Sequence, residues 1–136
     1  MATSIHPPSP KLLANTAFLF GLIPTALGIN AILRPRSALA VLQFARPKDA
    51  EAGKLVDNLM RIYGSRDIVV GLPVLIAWYF GDKQMLGWMM VIQAVIPFVD
   101  AWATRLQNGR GEWNHLPVGF VGLWLGGGIL GWFGGQ

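Results

Sequence analysis

Cysteine is absent from this 136-residue chain, so it has no disulfide framework, thiolate metal site or cysteine nucleophile. Charge is scarce as well: Asp, Glu, Lys and Arg together make up 13% of the residues. With 53% hydrophobic residues and a positive mean hydropathy, too little polar surface remains to coat a soluble domain of this size. Histidine occurs twice, at His6 and His115, with no HxxE or HxxxH spacing, which argues against a preformed transition-metal site. No glycine-rich loop follows a strand-like segment, so a nucleotide-phosphate cradle is not expected, and no cofactor is implied. The net charge of +4 sits in short loops beside apolar runs and forms no basic stripe interleaved with aromatics. Nucleic acid is therefore not an expected partner.

What the chain does have is long apolar stretches. They predict an all-α fold, a four-transmembrane-helix bundle forming one integral membrane domain over 1–136, with helices at about 12–33, 52–80, 85–104 and 116–133. No small-residue cleavage signature follows the first run, so it is expected to stay as a signal anchor, with His6 in a free tail. Between the first two helices, Ala38 to Phe44 reads as a short surface helix. Pro73 is expected to kink the second helix by freeing a carbonyl one turn earlier. Gly81 to Gln84 reads as a tight turn. In the fourth helix, Gly122 to Gly126 and Gly127 to Gly131 are small-xxx-small spacings, which favour close packing within the bundle over the homodimer seam they also allow. The six tryptophans lie mostly near helix ends, as an aromatic belt requires.

An even number of spans puts both termini on the side of the loop between the second and third helices. Lys11 and Lys83 lie there, against Arg34, Arg36, Arg46, Lys48, Lys54, Arg105 and Arg110 opposite. The basic side faces the cytosol, so loops 34–51 and 105–115 are expected to be cytosolic and both termini lumenal.

Ionisable residues inside membrane segments are costly and normally pair or face a wet cavity. Asp57 and Arg61, four apart, share a helix face and read as a solvated pair. Topology brings Asn30, the Arg61 to Asp67 segment, Asp100 and His115 to one half of the bilayer. Gln93 and Pro97 lie on the face of Asp100, with Gln93 roughly 10 Å deeper at 1.5 Å per residue. The expected site joins Asp67, Asp100, Arg66, Arg61, Tyr63 and His115 as candidate catalytic groups, with Asn30, Gln93 and Trp102 as candidate substrate contacts. Two carboxylates beside an arginine, a tyrosine and a histidine can perform general acid and base chemistry. The bland alternative is that Asp67 and Asp100 are bridged to Arg66 and Arg61 only to hold helices together.

The stretch from Arg61 to Leu72 has the pattern R-x-x-G-x-R-D-x-x-x-G-L and is followed by Pro97-Phe98-Val99-Asp100 and His115. From the second helix onward it resembles a family of small four-helix integral membrane proteins, many of them fungal. Similar proteins occur in gene clusters for polyene polyketides of the aurovertin and citreoviridin type, where a small hydrolase of this sort opens epoxides. The resemblance implies epoxide hydrolysis or cyclisation on a lipophilic small molecule in the endoplasmic reticulum, without a cofactor. In that chemistry Asp67 and Asp100 divide the roles of base and acid, Arg61 or Arg66 orients a carboxylate, and Tyr63 or His115 supplies a proton. The competing expectation is a non-enzymatic scaffold or lipid-binding accessory protein with structural ion pairs.

Overall fold

A computed structural model describes residues 9–133; His6 lies outside them. Among the described residues the chain is all-helical, with α1 (Pro10–Leu33), α2 (Pro35–Val41), α3 (Ala50–Phe80), α4 (Lys83–Gln93), α5 (Val95–Asn108), a 3-10 turn at Glu112–Asn114 and α6 (Leu116–Ile129). The helix starts follow local chemistry. The side chains of Ser9, Asp49 and Asp82 accept from the backbone N–H groups of Leu12, Ala52 and Met85, capping α1, α3 and α4. The α3 to α4 turn is as tight as expected. Gly81 takes a left-handed φ of 69°, and the next N–H, that of Asp82, bonds back to the Ala77 carbonyl.

Among the described residues two helices are long and apolar enough to cross a membrane: Pro10–Leu33 and the rod Lys83–Asn108 made by α4 and α5. The other two expected spans fall short for opposite reasons. α3 has 31 residues, about 46 Å at 1.5 Å per residue, but carries Glu51, Lys54, Asp57, Arg61, Arg66 and Asp67. α6 is almost wholly apolar, but its 14 residues reach only about 21 Å. The α4–α5 rod is interrupted at Ala94, where the sequence suggested one continuous helix. Pro97 has no N–H to return to the Gln93 carbonyl, so the ladder breaks there. α3, in contrast, runs unbroken through Pro73.

The antiparallel α1 and α3 pack most extensively, α6 lies on α4, and α1 also touches α6. Two apolar clusters form. One gathers Leu13, Ala17, Val74, Ala77, Leu86, Met90 and Leu125. The other, toward the opposite end of α1 and α3, gathers Ala31, Ala38, Leu39 and Met60, with Tyr63 packed against it. The interior mixes alanines and glycines with a few leucines and methionines; Met90 and Val74 are its largest fully buried side chains. Large apolar side chains such as Leu19, Leu22, Ile23, Val69, Leu72, Ile76, Ile92 and Val95 are exposed instead. Small residues inside and large apolar residues outside is how helices associate in lipid. Gly122 and Gly126 face inward, a Cβ at the first meeting Ala94 and one at the second Val91 and the Gly87 carbonyl, whereas Gly131 of the other expected spacing lies past the end of α6 with a left-handed φ of 76°.

The basic connection from α1 to α3 folds back onto α3. Asp57 pairs with Arg46 at 3.0 Å and Arg36 at 3.5 Å, while Arg61 turns to Asn58 at 2.8 Å. The expected Asp57–Arg61 pair does not form, because the returning loop gives Asp57 a two-toothed arginine fork, which a flexible i,i+4 partner cannot match. That hydrogen bond holds the Arg46 pKa above its ordinary value. The clasp pins α2 against α3. Asp57→Asn is expected to loosen this strap, read as several-fold faster trypsin cleavage after Arg36 or Lys48 in detergent-solubilised protein; an unchanged cleavage rate would count against the clasp.

Candidate functional site

The polar centre lies between the two apolar clusters and is organised by one arginine. Arg66 on α3 sends Nη1 to Asp100 Oδ1 and Nη2 to Asp100 Oδ2, both at 3.2 Å, a bidentate fork across to α5. The same guanidinium donates from Nε (3.3 Å) and Nη2 (3.1 Å) to Asp67 Oδ1. Tyr63, one turn before Asp67, donates its hydroxyl to Asp100 Oδ2 at 3.0 Å, and its ring lies 4.0 Å under the Arg66 guanidinium. Positions 63, 66 and 67 share one side of α3 because i, i+3 and i+4 residues stack along a helix. Asp67 and Asp100 are largely buried, their side chains 9% and 15% exposed.

Asp100 thus accepts three hydrogen bonds, over both oxygens. Asp67 accepts two, both on Oδ1, which leaves Oδ2 as its open oxygen. The two carboxyl groups share one cation, Arg66.

These carboxylates open onto a cavity of about 350 Å³. Its polar lining comes from Tyr63, Asp67, Gln93, Asp100 and His115. Apolar walls, among them Phe20, Ile23, Leu27, Val70, Ile96 and Pro97, make up the rest. The volume and the few convergent polar groups in an apolar lining are those of a small-molecule site. His115 is set at the start of α6 with its Nε2 3.5 Å from the buried Thr104 hydroxyl. An Arg105–Glu112 ion pair ties the turn before it to α5.

The structure therefore brings together Tyr63, Arg66, Asp67, Gln93, Asp100 and His115. Three expected residues stand apart. Arg61 is exposed and bonded to Asn58: it lies five residues from Arg66, about 140° around the helix, so both cannot face the cavity. Trp102, 65% exposed, points away from the rod's cavity face. Asn30 is half-buried on α1 but does not line the cavity. Among the described residues both carboxylates are bridged by Arg66, and Arg61 takes no part in the tie that the structural alternative assigned to the two arginines together.

Val41 and Leu42, at the end of α2, were not anticipated, yet they close part of the cavity wall. Their apolar run was legible as a surface helix, but nothing in it signalled that the helix folds inward.

No curated protein and no solved structure matches the chain. A family model described as a domain of unknown function, DUF4267, matches residues 21–134, a stretch that contains every cavity-lining residue named above except Phe20. The chain belongs to the DUF4267 family.

Proposed function

We propose that the chain is a four-span integral membrane enzyme of the endoplasmic reticulum that opens epoxides of a lipophilic polyene or terpenoid-like metabolite, by hydrolysis or cyclisation, without a cofactor. The observation that carries this reading is the pair of carboxylates from different helices, joined through Arg66, at the edge of an apolar cavity. In the membrane reading the apolar part of α3 crosses with Arg66 and Asp67 turned inward, and the seven basic residues on that side support a cytosolic position for loops 34–51 and 105–115. A glycosylation acceptor added at the N-terminus should then be modified in microsomes; absence of modification would reverse the orientation.

Asp100, held by two guanidinium N–H groups and a phenol, acts as base. It takes a proton from water, or from a substrate hydroxyl, as that oxygen attacks an oxirane carbon. Asp67 delivers the proton from its open Oδ2 to the oxirane oxygen as the carbon–oxygen bond breaks. The product is a diol or a cyclic ether, and one proton passing from Asp100 back to Asp67 restores the starting state. Arg66 spans both carboxyls and favours the charge on whichever is ionised. Tyr63 orients Asp100 and the attacking oxygen, and His115 stands at the cytosolic mouth.

The test is direct: microsomes containing the protein are incubated with a polyene epoxide, and the diol or cyclic ether is followed by mass spectrometry. Absence of both products rejects the reading. Within the same assay Tyr63→Phe is expected to lower the rate by about 10-fold, since one hydrogen bond is lost while the ring under Arg66 stays. Arg61→Gln should leave the rate unchanged, and a large loss there would show that the cavity geometry misassigns the arginine.

A further inference from the structure

Gln93 is a polar residue that the acid–base chemistry does not use, and its bonding fixes what it can recognise. Pro24 has no N–H, so the Phe20 carbonyl one turn earlier in α1 lacks its helical partner. Gln93 supplies one: its Nε2 donates to that carbonyl at 3.0 Å and lies 3.8 Å from the Met90 sulfur. Turning the amide over would set two acceptors against each other, so the carboxamide has a single workable orientation. Its Oε1 is the acceptor left over. That oxygen is buried and has no hydrogen-bond partner among the described residues, on a residue only 8% exposed that lines the cavity. The terminal torsion of a glutamine is soft, so a small rotation presents Oε1 to the cavity while Nε2 keeps its bond.

We propose that Gln93 is a specificity-determining residue whose side-chain carbonyl accepts a hydrogen bond from a hydroxyl of the ligand, so that the cavity takes an apolar alcohol. An acceptor already committed in this way selects a donor and rejects a carbonyl or an ether. Gln93 precedes Asp100 by seven residues, roughly 10 Å along the rod. The hydroxyl it holds is therefore remote from the carboxylates and anchors the molecule, while the reacting group lies at the Asp67–Asp100 end. That the anchored molecule is an epoxy alcohol rests on the epoxide-opening reading; that the cavity selects a donor does not.

Binding of inert ligands tests this without turnover. Protein in lipid nanodiscs is titrated with decan-1-ol, 1-methoxydecane and decan-2-one, each corrected for partition into empty nanodiscs. The wild type is expected to bind the alcohol about 10-fold or more tighter than the ether and the ketone. Gln93→Met, close in volume, should abolish that preference. Gln93→Glu, whose carboxyl can donate to Phe20 and still accept, should keep it, as should Asp67→Asn and Asp100→Asn. Equal binding of alcohol and ketone by the wild type overturns the proposal even if Gln93→Met does not fold. Persistence of the preference in Gln93→Met, or its loss in the aspartate variants, also overturns it, because the hydroxyl then sits elsewhere. A protein that shows the preference and opens no epoxide retains the Gln93 site and loses only the epoxide reading.

Discussion

Asp100→Asn is expected to lower epoxide turnover by about 10²- to 10⁴-fold, the usual contribution of a positioned general base or acid. Asparagine keeps the shape and can still accept from Tyr63 and from one arm of Arg66, but it cannot take a proton from the attacking oxygen. Asp67→Asn should cost a similar factor, because the departing oxirane oxygen then leaves without a proton. The two losses should not multiply. Base and acid act in one event, so the double variant is expected to fall to about the level of either single one. The check is initial rates in microsomes, with monodispersity of the solubilised variants as the measure of folding. Full turnover by either folded single variant would falsify the assigned roles and leave Arg66 and the aspartates as a tie between α3 and α5; the rival reading, a scaffold or lipid-binding accessory, is favoured only where the wild type itself opens no epoxide. Arg66 uses Nε, Nη1 and Nη2 on internal partners, a bonding pattern that either reading accommodates, so the isosteric amides are the decisive probes.

Much of this centre could be read from the chain because charge in an apolar stretch is conspicuous. Helix periodicity put Tyr63 and Asp67 on one face, and the alternation of spans put Asp100 and His115 at their depth. Periodicity also separates Arg61 from Arg66, but the choice of partner could not be read, since it depends on how α5 lies against α3. The Asp57 pairing was missed for a related reason. The loop carrying Arg36 and Arg46 has no periodic pattern, so its return over α3 leaves no local mark. The break at Ala94 was legible in principle from Pro97, whereas the same residue type at 73 leaves α3 continuous. Proline removes a hydrogen bond in both places; packing decides whether the helix breaks. Gln93 drew attention as a polar residue on the Asp100 face, yet its fixed orientation depends on Pro24 of another helix, a relation that only the packed α1 and rod reveal.

Gly64→Ala is expected to destabilise the fold by about 1–3 kcal/mol or more, the range for overpacking a well-filled contact. Small-xxx-small spacing marks the glycines of the last helix, yet Gly28 of α1 and Gly64 of α3 also meet backbone to backbone. A Cβ on Gly64 would sit 2.5 Å from the Gly28 carbonyl oxygen, and one on Gly28 would sit 2.4 Å from the Gly64 carbonyl oxygen. Seven residues along each helix the pattern repeats, with Gly71 facing Gly21 and a Cβ on Gly71 2.6 Å from the Gly21 carbonyl oxygen. The obstacle is backbone, so no side chain can swing aside and the helices must separate. Gly53→Ala is the control on the same helix, because the atoms nearest its new Cβ belong to the Arg46 guanidinium, the far end of a flexible side chain. In the control, relief of the glycine helix penalty, about 1 kcal/mol, offsets that contact. Thermal unfolding of the solubilised proteins should therefore show a clear loss for Gly64→Ala and little change for Gly53→Ala. Gly28→Ala combined with Gly64→Ala should cost less than the sum of the two, since the first methyl already opens the gap that the second needs. Asp67 lies one turn beyond Gly64, so prising α3 from α1 also moves it against Asp100, and turnover should fall even where the variant stays folded. Equal stability and full turnover in Gly64→Ala would mean that the α1–α3 seam does not set the position of the site.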